Sequence, residues 1–392
     1  MCDTLCLLGA DRTIFAKNSD RPRDEIHVVE VHPRRTGGGM LRTTHLEIKD
    51  IGAYALLGSR PAWMWGNELG VNEHGVAIGN ERVYTLDDPT TAPAALTGMD
   101  LVRLGLERGK TADNAIDAMT GLLELHGQGG ACLESGDAYW SSFLVADANS
   151  AWVLETSEST WAARPVDRAA AISNRLSLGT EWTRASADLS RGDDFSTRID
   201  PTAPAQRAEV RLAATTACLT TDDQSPARVV ATLRHHGTIP WGAPGDDPGL
   251  VQPLPAPEEA EQDRPTVCWH DYTTLATTAS MVADLRPATQ PNGTQAWVAL
   301  GSPCASVYLP VFAPHAVPAA FADPSTWLRF ARLRDRVEQK AAALSEVRAV
   351  LGPIEADLWE RAHGVPDDPD QQRAFVEMGW HHVDTGLVRL GA

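Results

Sequence analysis

The sequence has little lysine, no Cys-x-x-Cys pair and no long apolar run. Of its 392 residues only four are lysines, and 34 basic residues face 52 acidic ones, for a formal charge of −18. Nucleic acids and anionic membranes are bound through basic patches, so this charge argues against both as partners. No run approaches the roughly 20 apolar residues of a membrane span, and the first residues do not resemble a secretory signal. We therefore expect a cytoplasmic protein.

The cysteines and histidines follow no metal-ligand spacing. The adjacent pairs His235-His236 and His381-His382 do not share a helix face. Scattered cysteines in a long chain are typical of buried free thiols in a reducing compartment. We therefore expect no metal site and no cofactor. The six cysteines are Cys2, Cys6, Cys132, Cys218, Cys268 and Cys304.

Hydrophobic periodicity divides the chain into strand-like and helical segments. Apolar residues recur at helical spacing in 99–107 and 112–126, and later in 225–235, 327–349, 356–362 and 369–378. Strand-like runs are 4–8, 13–17, 26–31, 41–48, 54–58, 76–79, 142–146, 151–155, 161–163, 170–173, 272–282 and 295–300. Strands in series with separate helices favour a layered α+β domain over a doubly wound sheet. The segment 240–265 is rich in Pro, Gly and acidic residues, which is typical of a surface loop.

Cys2 is the residue with the most distinctive chemistry. Removal of an initiator Met is favoured before a small residue, and the mature chain would then begin with Cys2. A free α-amine has a pKa of about 7.7–8.0, so it can accept a proton near neutral pH. The thiol of the same residue is a strong nucleophile. One residue could therefore supply both the nucleophile and the general base.

The sequence around Cys2 resembles the secernins and the related dipeptidase-A-like cysteine hydrolases. The resemblance covers about residues 1–180 and thins beyond, to TTAS (277–280) and GSPC (301–304). Its motifs are IFAKNSDRP (14–22), SRPAWMWGNE (59–68), VNEHGVAIGNE (71–81), GMDLVRLGLERG (98–109), HGQGG (126–130), AWVLET (151–156) and ISNRLS (172–177). Penicillin V acylases and bile salt hydrolases are similar at a greater distance.

The resemblance implies an N-terminal-nucleophile hydrolase with a four-layer αββα sandwich of two antiparallel sheets. It predicts a domain over 2–320 and a helical C-terminal extension over 321–392 packed on it. It also implies that Cys2 is the nucleophile, that Asp20 orients it and that Asn174 stabilises an oxyanion. The second oxyanion donor falls near Asn80. A late arginine of the family has no secure match, with Arg207 and Arg211 as weak candidates.

Further residues have predicted roles around these four. The charge of Asp20 alone would raise the pKa of the amine, so we expect Lys17 or Arg21 to offset it. Aromatic and polar side chains of the kind that line substrate pockets lie close together in sequence. The residues predicted to bind substrate are Trp63, Trp65, Asn67 and Arg21.

The predicted reaction is hydrolysis of an amide bond, in a dipeptide or an N-acyl amino compound, through an acyl-enzyme on Cys2. The substrate is a peptide or a small molecule, and a homo-oligomer is left open. Two alternatives stay open as well. The same thioester permits acyl transfer to another amine, and a secernin-like protein could use the scaffold for non-hydrolytic binding or regulation.

Overall fold

The computed structural model describes residues 1–220, 225–236, 254, 266–287, 294–340 and 342–392. Its strands form two large sheets in which neighbouring strands are antiparallel. The first sheet has, in spatial order, β14 (Ala169–Ile172), β1 (Cys2–Leu8), β2 (Thr13–Pro22), β16 (Leu275–Leu285), β17 (Gln295–Leu300) and β18 (Leu309–Phe312). The second has β15 (Arg184–Ala185), β13 (Thr160–Pro165), β12 (Ala151–Ser157), β11 (Trp140–Ala146), β10 (Ala77–Val83), β9 (Leu69–Asn72), β8 (Leu56–Pro61) and β3 (His27–His32).

The described part of the chain also contains two small two-stranded sheets, seven α-helices and short 3₁₀ helices. The small sheets pair β4 (Arg35–Thr36) with β7 (Gly52–Ala53) and β5 (Met40–Arg42) with β6 (Glu47–Lys49). The helices are α1 (Gly98–Arg108), α2 (Ala112–His126), α3 (Ala205–Leu219), α4 (Pro226–Leu233), α5 (Pro324–Gln339), α6 (Ala343–Ala362) and α7 (Pro369–Arg389). Among the described helices, none is long and apolar enough to cross a membrane.

The two large sheets pack face to face between two helical layers. Successive side chains of a strand point to opposite faces, so each strand contributes to two layers of the core. In β1, Leu5 and Leu7 pack with apolar residues of α3 and α4, while Cys6 lies in the cluster between the sheets. In β10, Ile78 packs with α1 and α2, while Ala77 lies between the sheets. This order of layers confirms the predicted αββα sandwich.

The helix α1 begins where local chemistry predicts a start. The Thr97 side chain accepts a hydrogen bond from the Asp100 backbone N–H, and the Asp100 carboxylate accepts one from the Thr97 N–H. This reciprocal arrangement, a capping box, satisfies two backbone N–H groups that have no partner within the helix at its N-terminus. The predicted helix over 112–126 has the observed bounds of α2. At its start the Thr111 side chain accepts a hydrogen bond from the Asn114 backbone N–H.

Several expectations differ from the structure. The predicted strand over 41–48 is two short strands joined by a turn. The predicted helix over 327–349 is interrupted because Lys340 adopts an extended conformation, so α5 ends at Gln339 and α6 continues to Ala362. The helix α3 was not predicted. Apart from Leu254, the segment 240–265 lies outside the described residues.

The three C-terminal helices share an apolar cluster with the two large sheets. Apolar residues of α5, α6 and α7, among them Leu333, Leu358 and Leu387, join the cluster that fills the space between the sheets. Because the helices share that core, the predicted division at residue 320 stays a prediction.

Candidate active site

Cys2 is the first residue of β1, which lies between β14 and β2 in the six-stranded sheet, and it is 6% exposed. On one side β1 pairs with β2. Ser19 of β2 lies opposite Cys2, and Asp20 is the next residue of that strand. On the other side β1 pairs with β14, whose end leads directly into Asn174. The pairing of three strands therefore brings together residues that are far apart in the chain.

Asn174 connects Cys2 to a buried arginine. The Cys2 backbone N–H donates to Asn174 Oδ1 at 2.7 Å. Arg211, on α3, donates to the same Oδ1 at 2.6 Å and to Ser173 Oγ at 3.1 Å. Ser173 in turn donates to the Asp3 carboxylate at 2.8 Å. The nitrogen of Cys2 is thus held in a network whose members are all buried.

Asp20 is held on both carboxylate oxygens. Arg211 Nη1 donates to Oδ2 at 3.0 Å, and Thr277 Oγ1 donates to Oδ1 at 2.6 Å. Thr277 reaches Asp20 at an irregularity in β16, where the register shifts between Thr277 and Ala279. Burial raises the pKa of Asp20 to about 6, although the terminal amine and Arg211 oppose this rise. The Asp20 carboxylate therefore carries its charge at neutral pH because a cation lies beside it.

Lys17 supplies a positive charge close to the Cys2 thiol. Its ammonium donates to the Asn80 carbonyl at 2.6 Å and lies 3.4 Å from Glu81 Oε1 and 4.0 Å from Glu68 Oε2. Burial lowers the pKa of Lys17, but Cys2, Glu81 and Glu68 raise it by more. Burial raises the pKa of the Cys2 thiol, and Lys17 opposes that rise. The ammonium thus stays charged and favours the thiolate.

Arg21 is paired away from Asp20. Its guanidinium donates to Glu68 Oε1 at 2.7 Å and contacts both oxygens of Glu25. Of the two cations expected to offset the charge of Asp20, Lys17 interacts with it, since the Asp20 charge raises the pKa of Lys17. Arg21 pairs with Glu25 and Glu68 instead, and the arginine in contact with Asp20 is Arg211.

A cavity of about 70 Å³ adjoins Cys2. Met1 and Arg21 line it, and so do Arg82 and Tyr139. The Arg82 guanidinium lies over two aromatic rings, 4.7 Å from the centroid of Tyr84 and 5.5 Å from that of Tyr139. Among the described residues, no carboxylate pairs with Arg82, so its charge is available to an anionic group in the cavity.

The tryptophans predicted to bind substrate do not line this cavity. Trp63 donates through Nε1 to Glu25 Oε1 at 2.9 Å, and Trp65 lies beneath the Arg103 guanidinium at 4.0 Å. Asn67 is fully buried, and its backbone N–H donates to a carbonyl of α1. Trp63 packs against a buried cluster that includes Met99 and Tyr139, and Trp65 packs against the apolar cluster of α1 and α2, so neither ring reaches the cavity lining. The motif over 59–68 instead contributes its last residue, Glu68, to the cavity lining.

The terminal amine belongs to Met1 in this structure. It donates to the Asp20 backbone carbonyl at 2.8 Å. Burial lowers the pKa of this amine, while the charges of Cys2 and Asp20 oppose the change. Met1 therefore closes one side of the cavity beside the Cys2 thiol.

The two predicted oxyanion donors both lie near the site, but their amide groups have other partners. Asn174 Nδ2 donates to the Arg82 carbonyl at 2.9 Å, and it is Oδ1 that faces Cys2. Asn80 Nδ2 donates to Met99 Sδ at 3.2 Å. Their roles as oxyanion donors stay predictions, since either amide would have to exchange its partner.

Comparison with known proteins finds structural similarity at low sequence identity. No family model matches the chain. Solved structures with similarity to it include a variant of conjugated bile acid hydrolase from Clostridium perfringens, with 12% identity and a TM-score of 0.41 over 76% of this chain and 88% of that chain. Penicillin V acylase from Agrobacterium tumefaciens has 12% identity and a TM-score of 0.45 over 81% and 87%. An N-acylethanolamine-hydrolyzing acid amidase orthologue from Caenorhabditis elegans has 14% identity and a TM-score of 0.30 over 45% and 71%.

Sequence reasoning understated one residue of the site and missed a second cluster. Arg211 was only a weak candidate because the resemblance thins beyond residue 180 and gives the late arginine of the family no secure match. The second cluster is a set of four buried histidines and cysteines whose potential ligand atoms lie within 4.8 Å of one another. Its members are His236, Cys268, His270 and Cys304. The scattered spacing of these residues had predicted isolated thiols and no metal site, and only the tertiary fold brings them together.

Proposed function

We propose that this protein hydrolyses an amide bond through an acyl-enzyme on Cys2, after removal of Met1. The observation that supports this is the position of the Cys2 nitrogen, 2.7 Å from Asn174 Oδ1 within a buried charged network. If Met1 is removed, that nitrogen becomes an α-amine on the residue that bears the thiol. The sequence resemblance to the secernin and dipeptidase-A-like hydrolases points to the same chemistry.

In the proposed reaction the α-amine takes the thiol proton and the sulfur attacks the amide carbonyl. The resulting oxyanion collapses to a thioester, and the amine gives its proton to the leaving nitrogen. A water molecule then attacks the thioester and releases the acid and the free thiol. Lys17 stabilises the thiolate, and Asn174 keeps the amine oriented through Oδ1. Asn80 and Asn174 remain the predicted donors to the oxyanion, a contribution of about 10²–10³ in rate per donor.

The surroundings of the cavity favour a substrate with a free carboxylate near the scissile bond. Arg82 lines the cavity, stacks on Tyr84 and Tyr139, and has no acidic partner among the described residues. Arginine binds a carboxylate through two parallel hydrogen bonds. Arg21 is less suited to this role because Glu25 and Glu68 already pair with it. A dipeptide or an N-acyl amino acid has the required carboxylate.

The first experiment tests the nucleophile. Intact mass spectrometry should find the purified chain without Met1, and a slow substrate should add the mass of its acyl group to Cys2. Cys2→Ala should abolish turnover, and Cys2→Ser, which keeps the amine but has a poorer nucleophile, should retain a small part of it. Cys6→Ala is the matched control, because Cys6 lies on the same strand but in the core between the sheets.

Two results would contradict the proposal. One is equal loss of turnover in the two alanine variants. The other is full activity in a chain that keeps an extra residue before Cys2. A purified chain that retains Met1 and turns over no member of a dipeptide and N-acyl amino acid panel would instead favour a binding or regulatory protein.

The second experiment tests the recognition of a carboxylate. A dipeptide and its C-terminal amide differ only in that charge, so the amide should have a lower kcat/KM if Arg82 binds the carboxylate. In Arg82→Met the two substrates should become nearly equal. A wild-type preference that survives in Arg82→Met would show that another group reads the carboxylate.

The pH dependence follows from the amine. Burial lowers the pKa of the Met1 amine in this structure, and the Cys2 nitrogen, one residue further along, is buried as well. Turnover should therefore rise with pH and level off at or below the value of about 8 that a free terminal amine has. The negative charge of Asp20 raises the pKa of the amine. Asp20→Asn should therefore shift the rising limb to lower pH, and a shift to higher pH would refute this account.

A further inference from the structure

A second buried cluster lies beside the candidate active site. The potential ligand atoms of His236, Cys268, His270 and Cys304 all lie within 4.8 Å of one another, and the four residues are at most 6% exposed. His270 Nε2 is 3.5 Å from Cys268 Sγ and 3.3 Å from Cys304 Sγ. In a tetrahedral zinc site, metal–ligand lengths of about 2.3 and 2.0–2.1 Å place sulfur and nitrogen about 3.6 Å apart. The two distances are therefore close to those that one bound ion requires.

The donor set selects the metal. Two thiolates and two imidazoles in tetrahedral array are typical of Zn²⁺, whereas Mg²⁺ and Ca²⁺ prefer oxygen ligands. A two-iron cluster with two Cys and two His would put the sulfurs and the imidazoles on different irons. Here one imidazole nitrogen of His270 approaches both sulfurs, which fits a single ion. Two thiolates also neutralise the charge of the ion in a buried place.

The surroundings of His270 match those of a metal ligand. Its Nδ1 lies 2.8 Å from Glu338 Oε1, on α5, and Glu338 is held in turn by Arg23 at 2.7 Å. A hydrogen bond from Nδ1–H to a carboxylate fixes the imidazole tautomer and directs the Nε2 lone pair to the opposite side. That side is where the two sulfurs lie. A carboxylate behind a ligating histidine is the usual second contact of zinc sites.

We propose that His236, Cys268, His270 and Cys304 bind one Zn²⁺ in a closed structural site. Binding forms two Zn–S and two Zn–N bonds, and each thiol releases its proton to solvent. Four protein ligands leave no position for substrate, so the ion would hold the fold together and would not act in the reaction.

The proposed ion joins segments that support the candidate active site. His236 follows α4, Cys268 and His270 precede β16, and Cys304 lies in a short 3₁₀ helix (Pro303–Ala305) between β17 and β18. Between the two ligands of the second segment, Trp269 lies under the Arg211 guanidinium at 5.4 Å.

Trp269 is also connected to Asp20 by hydrogen bonds through Thr277. Its backbone N–H donates to Thr277 Oγ1 at 2.8 Å, and Thr277 Oγ1 donates to Asp20 at 2.6 Å. Fixing the segment that carries Trp269 therefore positions both partners of Asp20, the threonine and the arginine. We expect loss of the ion to lower stability first and activity as a consequence.

The experiment measures metal in the full-length protein, purified without a metal-affinity column. Inductively coupled plasma mass spectrometry should find about one zinc per chain. Cys304→Ala and His270→Ala should reduce the zinc content to a tenth or less and lower Tm. Cys218→Ala removes another buried cysteine away from the cluster, and it should leave the zinc content and Tm unchanged. Replacement by Co²⁺ should give thiolate-to-cobalt charge transfer in the near ultraviolet and intense visible bands of a tetrahedral ion.

Wild-type measurements keep the proposal testable if the variants do not fold. Native mass spectrometry of the wild-type chain should give the mass of one zinc ion, lost on acidification. A wild-type chain with no metal and six titratable thiols would overturn the proposal, because the cluster would then be hydrogen-bonded thiols and imidazoles. Four titratable thiols without metal would overturn it in favour of a Cys268–Cys304 disulfide.

Discussion

Arg211 is the charge on which the buried network around Cys2 depends, so its removal gives a sharp test. Arg211 Nη1 lies 3.1 Å from Asp3 and 3.0 Å from Asp20, and all three side chains are fully buried. In Arg211→Met the two carboxylates lose their shared cation while the length of the side chain is roughly kept. Breaking a buried ion pair costs about 3–5 kcal/mol of the free energy of unfolding.

The size of the loss should depend on pH. Burial already raises the pKa of Asp20 to about 6, with Arg211 opposing the rise. Without Arg211 this pKa should rise further, so the folded variant keeps a proton that the unfolded chain releases. Stability of the variant then falls as pH rises, by about 1.4 kcal/mol per pH unit for one carboxyl. If the pKa of Asp20 lies well above 8 in the variant, the variant loses about 2.7 kcal/mol between pH 6 and pH 8. The wild type, with a pKa of about 6, loses about 0.4 kcal/mol over the same range, so the deficit of the variant grows by about 2.3 kcal/mol.

Urea unfolding at pH 6 and pH 8 measures both effects. The matched control is Arg175→Met, because Arg175 pairs with Glu209 at 2.8 Å in a partly exposed position. That variant should lose about 1 kcal/mol or less, with no trend between the two pH values. Adding Asp20→Asn to Arg211→Met should reduce the growth of the deficit with pH. A deficit that is equal at both pH values, or smaller at pH 8, would refute the reasoning.

Two further predictions concern stability away from the site. Glu355 accepts buried hydrogen bonds from Arg234 at 2.6 and 3.0 Å and from Arg348 at 2.6 Å. Glu355→Gln should therefore lower the free energy of unfolding by about 3–5 kcal/mol, measured with urea at pH 7. A loss below about 1 kcal/mol would contradict this prediction. A Cβ added at Gly66 would lie 2.3 Å from the backbone of α1, so Gly66→Ala should cost about 1–3 kcal/mol. Gly121→Ala, in the open middle of α2, should instead stabilise by about 0.5–1 kcal/mol, and the same sign for both glycines would show that backbone contact is not the cause.

The parts of the fold that sequence reasoning found were those with strong local periodicity. The strand over 295–300 and the helix over 112–126 have the predicted bounds, because their apolar residues recur with the period of one structure. The break between α5 and α6 was missed since no Gly or Pro occurs near Lys340. The helix α3 was missed because alanine and threonine fill seven of its 15 positions, and its burial of Arg211 depends on carboxylates from two distant strands.

The site divides in the same way. Cys2, Asp20 and Asn174 were predicted from motifs of the first 180 residues, and the pairing of β1 with β2 and β14 brings them together. The partners of Arg21 could not be found, because Glu25 and Glu68 are ordinary acidic residues in the sequence. The four-residue cluster was missed for a related reason. Its members come from three segments separated by more than 30 residues, so only long-range packing makes them neighbours.

The burial of the Met1 amine has a consequence for the order of events during synthesis. Asn174 lies 172 residues after Cys2, and Arg211 lies 191 residues after Asp20. At about 5–20 residues per second, the ribosome needs about 10–40 s to make the chain that covers the amino terminus. During that interval the first residues are open to the aminopeptidase that removes initiator methionine. In the folded chain the Met1 amine is buried and bound to the Asp20 carbonyl, so a chain that folds with Met1 in place presents a buried amine to the enzyme. If Met1 is removed as the proposed function requires, translation speed and peptidase supply would set the fraction of chains in which Cys2 becomes the first residue.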